Sequence, residues 1–171
     1  IWSCTGLSRN VVASPVAGNG MVFVSNSYDW QAMMGIILKG AKGDITETQN
    51  IAWKINRLTP YVPSPLLYKN NLYFLRHNHN ILSCLNPKTG QDRVGPFRLP
   101  GLREIFASPI AASDRVYIPD RSGVTLVFSH GEDPKPIRLN RLQDKFSASP
   151  ATVGKELILR GESFLYCIAE D

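Results

Sequence analysis

Ser14-Pro15-Val16-Ala17-Gly18-Asn19-Gly20-Met21-Val22-Phe23 is a stretch that the chain repeats in outline three more times. Ser-Pro recurs at Ser64-Pro65, Ser108-Pro109 and Ser149-Pro150, so the prolines are spaced by 50, 44 and 41 residues. Seven and eight residues after each proline stand Val22-Phe23, Leu72-Tyr73, Val116-Tyr117 and Leu157-Ile158. Self-similarity at this period marks a repeat architecture. Between the proline and the apolar pair lie Gly18-Asn19-Gly20, Lys69-Asn70-Asn71, Ser113-Asp114-Arg115 and Gly154-Lys155-Glu156. Two short apolar runs joined by Gly, Asn or Asp predict a hairpin, because these residues tolerate the positive φ of a tight turn. Proline removes a ladder donor and suits a strand end or edge.

A second polar turn follows in each block, and then a third apolar run: Ile36-Ile37-Leu38, Ile81 to Leu85, Val124 to Phe128 and Phe164 to Ile168. A fourth run closes the first three blocks: Ala52 to Ile55, Pro96 to Leu99 and Pro136 to Leu139. Each block is thus a four-stranded antiparallel meander, and no segment holds a sustained 3.6-residue period. The class is all-β. A β-propeller of about four blades is expected over a β-sandwich of many short strands. The blades fall at 11–56, 61–100 and 104–140, with an incomplete one at 145–171.

Residues 1–10 read as the outer strand of a preceding or terminal blade plus a link. Trp2 stands 13 residues before its Ser-Pro proline, and Trp53 stands 12 before the next. Unpaired edges are a liability, so residues 1–6 are expected to pair with the Phe164–Ile168 strand or with a blade on a further segment. Four blades are few for a closed ring, so the expectation is half of a seven- or eight-bladed ring or a fragment of a longer polypeptide.

The order Ser-Pro, apolar-aromatic pair, then Cys84-Leu85-Asn86-Pro87-Lys88-Thr89-Gly90 resembles the pyrroloquinoline-quinone-like propeller repeat. That repeat carries Asp or Asn, then Thr-Gly, then a Trp four residues on. Asn86, Thr89 and Gly90 match, Trp2 and Trp53 match in their own blocks, and Val94 stands where a Trp belongs. The family includes the propeller lipoprotein of the outer-membrane β-barrel assembly machine. It also includes large envelope proteins of planctomycete-type bacteria, to whose C-terminal part this chain is especially similar. The resemblance implies an extracytoplasmic, periplasmic or cell-envelope location. The family's quinoprotein dehydrogenases hold pyrroloquinoline quinone with Ca²⁺, a catalytic Asp and an adjacent cysteine pair. This chain has no adjacent cysteines and no run of acidic residues with Ca²⁺-ligand spacing. No cofactor is therefore expected; pyrroloquinoline quinone with Ca²⁺ is the alternative.

Composition is that of a globular protein: 43% hydrophobic, 19% charged, formal net charge +5. No apolar run reaches the roughly 18 residues of a membrane span. There is neither a glycine-framed serine elbow nor a phosphate loop, and Gly40 to Asp44 reads as a blade-edge loop. Nucleic acid is not expected, for want of a recognised module or a long basic run. The three cysteines, Cys4, Cys84 and Cys167, read as buried thiols acting as small hydrophobes. A Cys4–Cys167 disulfide requires that the first strand close the last blade. His77 and His79 read as exposed loop residues, and Met33-Met34 as packing.

Charge is more suggestive. In a blade, the link from the preceding blade and the turn between strands two and three open on one end. The links carry Arg9, Arg57, Arg103, and Arg141 with Lys145. The turns carry Arg76, Arg121 and Arg160, with Tyr28, Asp29 and Trp30 in the longest. A basic, partly aromatic funnel mouth concentrates anions, and Arg grips carboxylate, sulfate or phosphate with two hydrogen bonds. The expectation is a non-catalytic binding module. Its partners would be a protein, a peptide or an anionic polysaccharide, and further blades or a second copy could complete it. The alternative is a quinoprotein oxidoreductase.

Overall fold

The computed structural model describes residues 1–76 and 80–169, and these contain strands but no helix. His77 and His79 lie outside the described residues. The chain divides into two compact units, Ile1–Pro96 and Phe97–Asp171.

The first unit begins with β1 (Trp2–Ser3), β2 (Val16–Gly18), β3 (Met21–Asn26), β4 (Ala32–Ile37), β5 (Gly43–Asp44) and β6 (Ile51–Ile55). It continues with β7 (Leu66–Tyr68), β8 (Asn71–Leu75), β9 (Ile81–Leu85) and β10 (Asp92–Arg98), which runs across the unit boundary. Two four-stranded sheets result, β2-β3-β4-β6 and β10-β9-β8-β7. The turn formers do what their φ freedom allows: Asn19 and Gly20 join β2 to β3 at φ 53° and 74°.

β3 alternates: Met21 and Phe23 are buried, while Val22 and Val24 are half-buried. Met21, Phe23, Met33 and Trp53 of the first sheet pack with Leu72, Phe74 and Leu85 of the second, so both sheets share one core. β8 is buried throughout its length, which is why it reads as a continuous apolar run rather than an alternating one. Met33 and Met34 are both packed in the interior.

The Ser-Pro serine has a bonding role. The Ser64 hydroxyl accepts the backbone N–H of Ser14 at 2.9 Å. In the second unit the Ser149 hydroxyl accepts the N–H of Ser108 at 2.9 Å. Each bond ties the head of one repeat to the head of the next.

The expected pairing of residues 1–6 with the Phe164–Ile168 strand is corrected. β1 pairs with β5, in parallel, with Trp2 opposite Gly43 and Ser3 opposite Asp44. The Gly40–Asp44 segment is thus a strand in its last two residues. Two N–H groups hold β1: Gly43 donates to Ile1 O at 3.1 Å, and Ile45, just past β5, to Ser3 O at 2.9 Å. Apolar burial adds to this, because Trp2, Cys4 and Leu7 pack over Met34, Ile36 and Ile45.

The second unit contains β11 (Ile110–Ala112), β12 (Arg115–Pro119), β13 (Val124–Ser129) and β14 (Pro136–Arg141), a four-stranded antiparallel sheet. β15 (Ala151–Val153), β16 (Glu156–Arg160) and β17 (Leu165–Ala169) form a three-stranded sheet. β13 is buried over five residues, whereas the outer strand β14 is exposed at all six positions.

Candidate binding surface

In three blades the preceding link is hydrogen-bonded to the turn between strands two and three. The first case uses an Asn carboxamide and the other two an Asp carboxylate.

In the first, the side chain of Asn26, at the end of β3, is the hub. Its carboxamide oxygen accepts the Ser8 N–H at 3.3 Å, and its NH₂ donates to Ser8 Oγ at 2.7 Å and to the Trp30 carbonyl. Its backbone carbonyl accepts the Thr59 hydroxyl at 2.7 Å. Gln31 Oε1 accepts the Leu58 N–H. Segments 8–9, 26–31 and 57–61 therefore meet at one end of the first blade. Asn26 and Thr59 are buried, so both are satisfied where an unpaired polar group would be costly.

On this frame sit large exposed side chains. Tyr28 is 51% and Trp30 54% exposed. Tyr28 stacks on Tyr61 with ring centroids 5.8 Å apart. Asp29 is exposed at φ 27°. Arg9 and Arg57 are exposed, and among the described residues neither has an ion-pair or side-chain hydrogen-bond partner. In the second blade, Arg76 is half-buried and its Nε donates to Ser83 Oγ at 2.7 Å.

In the second unit, buried Asp120 is the hub. Its carboxylate accepts from the N–H groups of Arg103 (2.9 Å), Ser122 (2.9 Å) and Val124 (3.0 Å), and from the Ser122 hydroxyl. The Arg121 N–H donates to Glu104 O at 2.8 Å. The Arg121 guanidinium pairs with Glu104 at 3.1 Å and lies over the Phe106 ring at 4.9 Å. In the last blade Asp144 accepts from the N–H groups of Lys145, Ser163 and Phe164 and from the Tyr166 hydroxyl. Burial raises the Asp144 pKa, but these four donors outweigh it and hold the carboxyl below the usual range. Lys145 pairs with Glu162 at 3.5 Å. Arg160 is exposed and borders a shallow depression lined by Gly161 to Leu165.

The residues expected at the mouth therefore part company. In the first unit, Arg9, Tyr28, Asp29, Trp30 and Arg57 lie on segments that the Asn26 frame draws together. In the second unit, Arg121 and Lys145 are paired with Glu104 and Glu162, which the charge reading did not weigh. Arg141 is not in a link: it ends β14, opposite Val124. Asn26, Asp120 and Asp144 were missed, although each is an Asn or Asp beside the turn or link it holds, where such side chains commonly bond backbone.

The cysteines are all free. Cys84 is buried, and desolvation chiefly pushes its thiol up to about 11. Cys4 is half-buried, and Cys167 is exposed rather than buried as expected. Among the described residues, no group of three or more His, Cys, Asp or Glu side chains is placed to hold a metal ion. No helix among them is long and apolar enough to cross a membrane.

No protein-family model matches the chain. No curated protein matches it in sequence either. Solved structures do match. BamB from Moraxella catarrhalis aligns with 93% of this chain and 46% of its own, at 12% identity and TM-score 0.67. The Pan2 WD40 domain of Neurospora crassa aligns with 94% of this chain and 47% of its own, at 8% identity and TM-score 0.67. The computationally designed Ika4 protein aligns with 98% of this chain and 96% of its own, at 11% identity and TM-score 0.73. The chain thus spans about half the length of the two natural propellers. Likeness at such low identity speaks to fold alone, and the fold is a β-propeller built of four-stranded antiparallel blades, about four of them in 171 residues.

Proposed function

We propose that this chain is a non-catalytic propeller module that binds an acidic segment of a partner protein across the loop surface carrying Arg9, Tyr28, Trp30 and Arg57. One observation carries the reading: Tyr28 and Trp30 stay half exposed on a frame held by Asn26. Exposed aromatic rings on a fixed backbone lose little entropy on binding, and Tyr, Trp and Arg are the side chains that most often dominate interfaces. Among the described residues Arg9 and Arg57 are held in no ion pair, and they outnumber Asp29, the acid on the same segments, which favours an acidic partner. The quinone alternative gains no support from any cluster of acidic side chains among the described residues. Resemblance to the pyrroloquinoline-quinone-like repeat supports a place in the cell envelope, outside the cytoplasm.

The test is a fluorescence titration of Trp30 with a random copolymer of glutamate and tyrosine. Saturable binding that weakens with salt is expected. The Arg9→Glu, Arg57→Glu double variant should bind about tenfold more weakly, equivalent to about 1.4 kcal/mol. Equal binding by parent and double variant would overturn the proposal.

A further inference from the structure

We propose that the second blade grips one carboxylate at Arg76, so that an Asp or Glu side chain of the partner fills a place that the other blades fill from within the chain. This rests on the acidic-segment reading above and names the contact that anchors it.

The Ser-Pro spacing locates the position. Eleven residues after each proline stand Asn26, Arg76, Asp120 and Gly161. Asn26 bonds Ser8 of its link, and Asp120 bonds the Arg103 N–H of its own. In the last blade Gly161 leaves room for an acid from the link. A Cβ added there would collide with the Asp144 carboxylate, which bonds Ser163 and Phe164 of the turn. Three blades thus seat a side-chain oxygen where link meets turn. The second blade has Arg76, which can only donate.

No acid of its own link or turn answers this cation. Not one Asp or Glu stands between Glu47 and Asp92, a span that carries Lys54, Arg57, Lys69, Arg76 and Lys88. Asp92 begins β10, beside the turn at the opposite end of the blade. Arg121 and Lys145 of the second unit, by contrast, are paired with Glu104 and Glu162. Among the described residues Arg76 is in no ion pair, with Asp29 of the first blade or with any other acid. A half-buried charge without a counter-ion is costly, and a carboxylate brought from outside relieves it.

The guanidinium is set for a grip. The Arg76 N–H continues the β8–β9 ladder, donating to Ile81 O at 2.9 Å. Buried Ser83, opposite Phe74 in the register, accepts from Nε at 2.7 Å. That bond fixes the guanidinium plane and leaves the Nη edge, whose paired N–H groups match the two oxygens of a carboxylate.

A second donor stands on the facing sheet. Residues two apart share a face of a strand. Phe23 and Phe74 meet in the core between the first two sheets, both within the first unit. The next residues toward the mouth on those faces are Ser25 and Arg76. Ser25 is buried, and its hydroxyl has no hydrogen-bond partner among the described residues. Such a group is uncommon and calls for an explanation; a donor turned toward a half-buried cation suits an incoming anion.

The experiment follows the Arg76 Nε–H resonance of the 171-residue chain as N-acetylglutamate amide is added. N-acetylglutamine amide, its uncharged isostere, is the control. A saturable shift with the first and none with the second is expected. Arg76→Asn installs the residue that the first blade carries at this position, and it should bind the glutamate–tyrosine copolymer about tenfold more weakly. Arg76→Lys keeps the charge without the two-bond grip and should recover only part of that loss. No shift, or an equal shift with the isostere, would overturn the proposal. A shift with inorganic phosphate or sulfate but not with the carboxylate would do the same. Copolymer binding weakened by Arg9→Glu with Arg57→Glu yet unchanged in Arg76→Asn would refute this contact and leave the wider reading standing. A carboxylate-specific shift in a chain that ignores the copolymer would support the contact and sink the wider reading.

Discussion

The indole of Trp53 lies over Gly90, so close that a Cβ added there would meet Trp53 Cδ2 at 2.6 Å. Gly90 belongs to the Asn86–Gly90 turn of the second blade and has φ 68°. On its other side the indole covers Gly35 of its own blade, where a Cβ would lie 2.4 Å from Cε2. Its Nε1 donates to Pro87 O at 2.8 Å. Two glycines thus make room for one tryptophan that fastens blade to blade. Gly90→Ala should be destabilising twice over, by the left-handed backbone (about 1–2 kcal/mol) and by displacing the ring. Trp53→Ala should cost about 3–5 kcal/mol. Urea unfolding measures both, and a loss under 1 kcal/mol for either would contradict this packing.

Ser64→Ala should remove the acceptor for the Ser14 N–H and cost about 1 kcal/mol. Ser64→Thr keeps a hydroxyl and should recover part of the loss. Amide exchange at Ser14 reads the bond directly, and unchanged protection in Ser64→Ala would show that it is not formed in solution.

Asp144 gives a pH dependence. Its folded pKa is lowered, because four donors outweigh burial. A lowered carboxyl contributes stability that is present above the unfolded pKa, about 3.9, and is lost as pH falls through the folded pKa. Asp144→Asn should therefore be less stable than the parent at pH 6, and the gap should close below about pH 4. A gap that widens with acidification would mean the sign is wrong.

Cysteine labelling should be selective. Exposed Cys167 should react with a thiol reagent in the folded chain. Buried Cys84, with its thiol pushed up to about 11, should react only on unfolding. Peptide mapping after brief labelling decides; fast modification of Cys84 would contradict its burial.

Much of this architecture was legible because the Ser-Pro period acts as a ruler. It located the second strands at Val22-Phe23, Leu72-Tyr73, Val116-Tyr117 and Leu157-Ile158, all of which lie in β3, β8, β12 and β16. The third strand of the first blade starts at Ala32, earlier than the Ile36 expected. Ala32 and Gly35 flank Met33-Met34 and are too small to extend them into an apolar run, and the Trp53 ring covers Gly35. A strand was expected within residues 1–6, and β1 lies there, but its partner β5 was not foreseen. A two-residue strand has no period to read, and Gly43-Asp44 carries a loop composition. At the mouth, the ruler brought link and turn together in three blades, while charge counting missed that Glu104 and Glu162 lie on those same segments. Pairing of Arg121 and Lys145 follows from the backbone bonds that align a link with its turn, and these have no sequence signature beyond an Asn or Asp.

Asn26→Ala should release segments 8–9 and 26–31 together. Removing the buried carboxamide leaves partners unsatisfied at about 1–3 kcal/mol, and Trp30 emission should shift as its loop loosens. Normal emission with full stability would mean that Asn26 does not organise this surface.

Hydrogen exchange of the chain, with and without a saturating glutamate–tyrosine copolymer, tests the binding role most directly. Added protection is expected at residues 26–31 and 57–61. Protection confined to the outer strand β14, or no change anywhere, would contradict it.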